Sequence, residues 1–149
     1  MKDQIFGNLT DWVNALDTLN LLKKSASLDN HQEELVRLLR HEGNWRLREA
    51  AVEAAATLKM PSIETLKQIV KLIVRDDLYY NIRILASKTL STLIPVIMAN
   101  AGINKDLVRR FINDANHEVT ALLSSPEPPM FHDALDIIYE QIQKVLATA

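Results

Sequence analysis

The amino-acid sequence predicts a single all-α domain, and three observations point there. Only three glycines occur, Gly7, Gly43 and Gly102, too few and too far apart for a strand-rich fold or a phosphate loop. Leucine and alanine outnumber the β-branched residues, which favours helix. Apolar residues recur every three or four positions in segments parted by short polar breaks. At 149 residues one domain is the default, here expected to take in 1–149.

Composition narrows the function classes. The chain is 48% hydrophobic, as a globular protein should be, and has no cysteine. That removes disulfides, thiol nucleophiles and zinc ribbons. Seventeen Lys and Arg against nineteen Asp and Glu give a net charge of -2, which argues against a dedicated nucleic-acid binder. Asp3 and Gln4 stand where a signal peptide would begin its apolar core. No uncharged apolar run approaches the ~20 residues that cross a bilayer. A cytoplasmic protein with no membrane partner is expected.

The elements follow in order. A first helix spans 8 or 10 to 24, with Trp12, Val13, Leu16, Leu19 and Leu22 on one stripe, and 25–30 is a break. Asp29 or Asn30 can cap a helix over 31–42 that carries Leu35, Leu38 and Leu39. Gly43-Asn44 stops it and starts another over 44–59, and Ser62 can cap a helix over 63–75. After Asp76-Asp77 comes a helix over 79–94, where Pro95 should stop or kink it. Asn104 can cap a helix to 113, with a short turn or two at 118–123. The connector Ser124-Ser125-Pro126-Glu127-Pro128-Pro129 precedes a last helix over 130–147, with Phe131, Leu135, Ile138, Ile142 and Val145 on one side.

The chain also repeats itself. Shifted by 35 residues, Leu35, Leu38, Leu39, Leu47, Ala51 and Leu58 fall on Val70, Ile73, Val74, Ile82, Ala86 and Leu93. Arg40 and Arg48 fall on Arg75 and Arg83, and paired arginines at one fixed offset are a stronger signal than hydrophobic periodicity alone. Clear repeats are therefore expected over 29–60 and 61–95. A degenerate hairpin follows over 104–124, and capping helices lie at 1–28 and 128–149. Degenerate ends suit a solenoid, because a regular repeat exposes its apolar stacking face unless a variant unit covers it.

Leu35-Val36-Arg37-Leu38-Leu39 followed by Leu47-Arg48-Glu49-Ala50-Ala51 resembles a HEAT repeat. Ile73-Val74-Arg75-Asp76-Asp77 followed by Ile82-Arg83-Ile84-Leu85-Ala86 does so too. The resemblance covers 29–95 well and the remainder loosely. It implies an armadillo-like, short right-handed α-solenoid of about three helical hairpins, closed at each end by an extra helix. In it Arg48 and Arg83 would form a structural ladder with acidic groups of the turns, Glu42, Asp76 and Asp77.

Chemistry finds little purchase. His41-Glu42 and His117-Glu118 invite comparison with a HEAT-type enzyme family, the deoxyhypusine hydroxylases, which hold two irons with His-Glu pairs. That family needs four pairs inside second helices; this chain has two, both expected in turns. The four histidines, His31, His41, His117 and His132, are each expected at a helix edge, and no nucleophile–base constellation emerges. No catalytic residue, metal or cofactor is assigned.

Surfaces are more promising. Trp45 and Tyr80 occupy equivalent places at the start of each second helix, with His117 at the corresponding place in the third unit, so the three would line one edge. On the concave side, Glu49, Val52, Glu53 and Ala56 would neighbour Ile84, Ser87, Lys88 and Ser91. The expected function is thus a non-enzymatic scaffold or interaction module. It would bind a protein or peptide through Trp45, Tyr80, Glu49, Glu53, Ile84 and Lys88. The alternatives are a nucleic-acid binder resembling the HEAT-type DNA glycosylases and a metal-dependent enzyme. The apolar stripe of the last helix either caps the third hairpin or pairs with a second copy or a partner protein.

Overall fold

The computed structural model describes residues 5–100 and 104–148; residues 1–4, Gly102 and Ala149, which enter the expectations above, lie outside them. Seven α-helices and no strand occur among the described residues. They are α1 (Trp12–Lys24), α2 (Gln32–Arg40), α3 (Trp45–Ala55), α4 (Ile63–Val74), α5 (Tyr80–Ala99), α6 (Lys105–Leu123) and α7 (Pro129–Ala147), with one 3-10 turn at Leu28–His31.

Three of the anticipated caps start helices as their chemistry requires. Asn44 Oδ1 accepts from the Leu47 N–H at 3.0 Å, and Ser62 Oγ from the Thr65 N–H at 3.2 Å. Asn104 Oδ1 accepts from the Asp106 and Leu107 N–H groups. Each satisfies a backbone donor with no partner inside the helix, and is worth about 1 kcal/mol. Asp29 does not cap α2, which His31 opens. The Asp29 carboxylate instead accepts from the backbone N–H groups of Lys59 and Met60, tying the entry of α2 to the loop after α3.

Helices pack by a simple rule. Alternate successive helices pack as pairs (α2 with α3, α4 with α5, α6 with α7), and each helix packs with the one two places on, from α1 with α3 to α5 with α7. Two rows result, α2–α4–α6 and α1–α3–α5–α7. Between them Leu38, Leu47, Leu66, Ile69, Leu90 and Phe131 are fully buried, each contributing about 1.5–3 kcal/mol by leaving water.

Burial follows the 35-residue offset along α3 and α5. Leu47 and Ile82, Arg48 and Arg83, Ala51 and Ala86, Val52 and Ser87, Ala54 and Thr89, and Ala55 and Leu90 are all buried, while Glu53 and Lys88 are both exposed. Val52 and Ser87 are therefore not surface positions: α3 and α5 touch edge to edge there, and Thr89 Oγ1 donates to the Val52 carbonyl at 3.1 Å.

Two helices run on past points where the sequence suggested an end. Residues 105–123 form one unbroken helix, α6, so the segment 104–124 is not itself a hairpin. Val108, Phe111, Ile112, Ala115 and Val119 make one buried stripe through the polar stretch, and that stripe outweighs the weak helix propensity of Asn and Asp. Pro95 does not end α5, which continues to Ala99. Proline offers no N–H to the Ser91 carbonyl, and the Gln141 side chain of α7 donates to that oxygen instead, at 2.9 Å. By length and composition α5 could span a bilayer, yet here it packs against α3, α4 and α7 in the core.

Candidate partner-binding surface

The turns before α3 and α5 hold the charged residues anticipated as a ladder. Arg48, 6% exposed, donates through Nε and Nη2 to the His41 carbonyl at 3.1 and 2.7 Å, closing the turn beneath its own helix. Its Nη2 also meets Glu42 at 3.1 Å. Glu42 reaches across to Arg75 at 2.7 Å, and Arg75 grips Asp77 at 2.6 Å. The link between the two turns is thus Arg48–Glu42–Arg75–Asp77. Arg75 first, then Arg48, holds the Glu42 carboxyl below its ordinary pKa, and Arg75 likewise depresses Asp77.

Arg83 takes no part in that chain, and Asp76 forms no ion pair among the described residues. Arg83 is 2% exposed, and its Nε donates to the Ile73 carbonyl at 2.9 Å. Its guanidinium lies 4.6 Å from the ring centre of Phe131 and 5.2 Å from that of Tyr80. The ring faces replace the carboxylate that its counterpart Arg48 finds in Glu42.

The aromatic edge is divided. Trp45 is 63% exposed and carries the Arg46 guanidinium over its ring, 5.2 Å from the centre. Tyr80 is engaged: its ring tilts against Phe131 at 5.7 Å, and its hydroxyl donates to Glu127 of the connector at 2.9 Å. That carboxylate raises the Tyr80 pKa. His117 does not join them. It lies inside α6, in the other row, and the first residue of α7, in the place matching Trp45 and Tyr80, is Pro129.

His117-Glu118 accordingly sits within a helix rather than a turn, whereas His41-Glu42 does lie in one. Among the described residues no group of three or more His, Asp or Glu side chains is placed to hold a metal ion.

On the outer side of the α1–α3–α5–α7 row, Glu49 is partly exposed and Glu53 exposed on α3. Ile84 and Lys88 stand on α5, at the wall of an open groove of about 350 Å³ between α5 and α7. Ser91 continues that wall, and Met130, Asp133, Ala134 and Ile137 form the opposite one. The α7 wall did not figure among the expected binding residues. Its signal is a second apolar column, Met130 and Ile137 seven residues apart, beside the stripe of Phe131, Leu135, Ile138 and Ile142 that α7 buries. Met130 is 69% and Ile137 53% exposed.

Comparison with models of protein families, with curated proteins and with solved structures gave no match to this chain.

Proposed function

We propose that the protein is a non-enzymatic interaction module, a short HEAT-like α-solenoid that receives a protein partner on the outer side of the α3–α5–α7 row. The observation that carries this reading is the groove between α5 and α7. Two of its residues, Ile84 and Lys88, are those the repeat pattern singles out, and two exposed apolar side chains, Met130 and Ile137, face them. Apolar side chains held on a groove wall are what a partner's anchors use, since burying them on association removes them from water. Packing of α2 with α3, α4 with α5 and α6 with α7, and of each helix with the next but one, supports the solenoid part of the reading, and so does the shared burial pattern of α3 and α5. Trp45 is the second anchor, an exposed ring at the start of α3 in the same row.

The test is capture of proteins from the native cell on immobilised wild-type chain, Ile84→Glu, Ile137→Glu and Trp45→Ala, with circular dichroism to verify folding. A partner retained by the wild type and lost by the groove variants is expected. Identical recovery on all four would overturn the assignment of the surface.

A further inference from the structure

We propose that the occupant of the α5–α7 groove is a second copy of this chain, docked about a two-fold axis. The inference rests on the reading of this groove as a partner-binding surface and names the partner. Its basis is the arrangement of charge on the groove walls. Lys88 stands on the α5 wall and Asp133 on the α7 wall; both are exposed, and neither forms an ion pair among the described residues. One wall is therefore cationic and the other anionic, with Ile84, Met130, Ala134 and Ile137 between them.

A two-fold axis exchanges the walls, so that Lys88 of each copy meets Asp133 of the other, twice over. A surface with one unpaired charge of each sign and an apolar middle is its own complement under that operation. A partner of single sign would satisfy one wall and oppose the other. The exposed apolar pair on α7, Met130 and Ile137, lies seven residues apart, about 10.5 Å at 1.5 Å per residue, and exchange of the walls sets it against Ile84 of the other copy. The net charge of -2 leaves little long-range repulsion between copies.

Sedimentation equilibrium from micromolar to millimolar concentration tests this. Wild-type protein should dimerise as concentration rises. Lys88→Asp and Asp133→Lys should each weaken self-association by about tenfold or more, because every contact then opposes like charges. An equimolar mixture of those two variants should dimerise again, since each supplies the charge the other has lost. Ile137→Glu, at an exposed position, should remain folded by circular dichroism and monomeric. A wild-type chain that stays monomeric throughout overturns the proposal, as does a mixture no tighter than either variant alone. Capture of a different protein through the groove by a monomeric chain would keep the surface assignment and discard the second copy.

Discussion

Gln141 on α7 and Pro95 on α5 are a complementary pair: the proline withholds an N–H from the Ser91 carbonyl, and the glutamine amide provides one across the helix interface. A proline inside a helix normally weakens it by removing this bond and crowding the preceding turn. Here the freed acceptor becomes the point at which the last helix of the row is fastened.

The pair should show in a double-mutant cycle. Gln141→Leu strips the Ser91 carbonyl of its donor. It also removes Gln141 Oε1, a buried oxygen with no hydrogen-bond partner, so the net loss is held to about 1 kcal/mol. In a Pro95→Ala background the helix supplies its own N–H, and Gln141→Leu should cost close to nothing. Urea unfolding of the four proteins measures this; equal costs in both backgrounds would refute the coupling.

Arg48 and Arg83 should both prove structural, by different means. Arg48→Met leaves the His41 carbonyl without two charged donors, and Arg83→Met leaves the Ile73 carbonyl without one and removes two ring contacts. Losses of about 1.5–3 kcal/mol are expected for each. Added salt should diminish the Arg48 effect, because part of it is an ion pair with exposed Glu42, and leave the Arg83 effect unchanged. Chemical denaturation by urea at two ionic strengths separates them.

Glu34 predicts a pH dependence. Its carboxylate is buried and accepts from Arg37, which lowers its pKa against the opposing effect of burial, and the Phe6 N–H assists. A depressed folded-state pKa means stability that is complete above the unfolded value of 4.5 and lost as pH falls through the folded one. Wild type should therefore lose stability on acidification below that range more steeply than Glu34→Gln. Parallel thermal melts across pH 2–5 would contradict the assignment.

Exposure separates the aromatic residues. Trp45→Ala should leave stability within about 0.5 kcal/mol, since the residue is 63% exposed. Phe131→Ala, at a fully buried ring beneath Arg83 and Tyr80, should cost about 3–5 kcal/mol. Thermal denaturation distinguishes these outcomes directly.

Much of this architecture is legible in the sequence, for reasons that are local. Asn44, Ser62 and Asn104 announce helix starts because their side chains can reach backbone donors two or three residues on. The 35-residue offset anticipates which positions of α3 and α5 share burial. What stays hidden depends on neighbours. Asn113, Asp114 and His117 read as a break until their exposed face is set beside the buried stripe of Phe111, Ala115 and Val119. Pro95 reads as a stop or a kink until a donor from α7 is available. Arg83 reads as an acid-seeking cation, and Phe131, forty-eight residues later, supplies ring faces instead. The groove was half visible: Ile84 and Lys88 follow from the repeat, while Met130 and Ile137 need the docking of α7 to bring them opposite.

Thr89 holding the Val52 carbonyl and Gln141 holding that of Ser91 have one further effect. Neighbouring helices with small, smooth contacts can creep lengthwise past one another, but a side chain clasping one particular oxygen permits a single register, and sliding even one 1.5 Å step breaks it. α3, α5 and α7 are thereby ratcheted in place. Under the proposed function, a docking partner would meet a floor already set in shape and spend little of its affinity on ordering it.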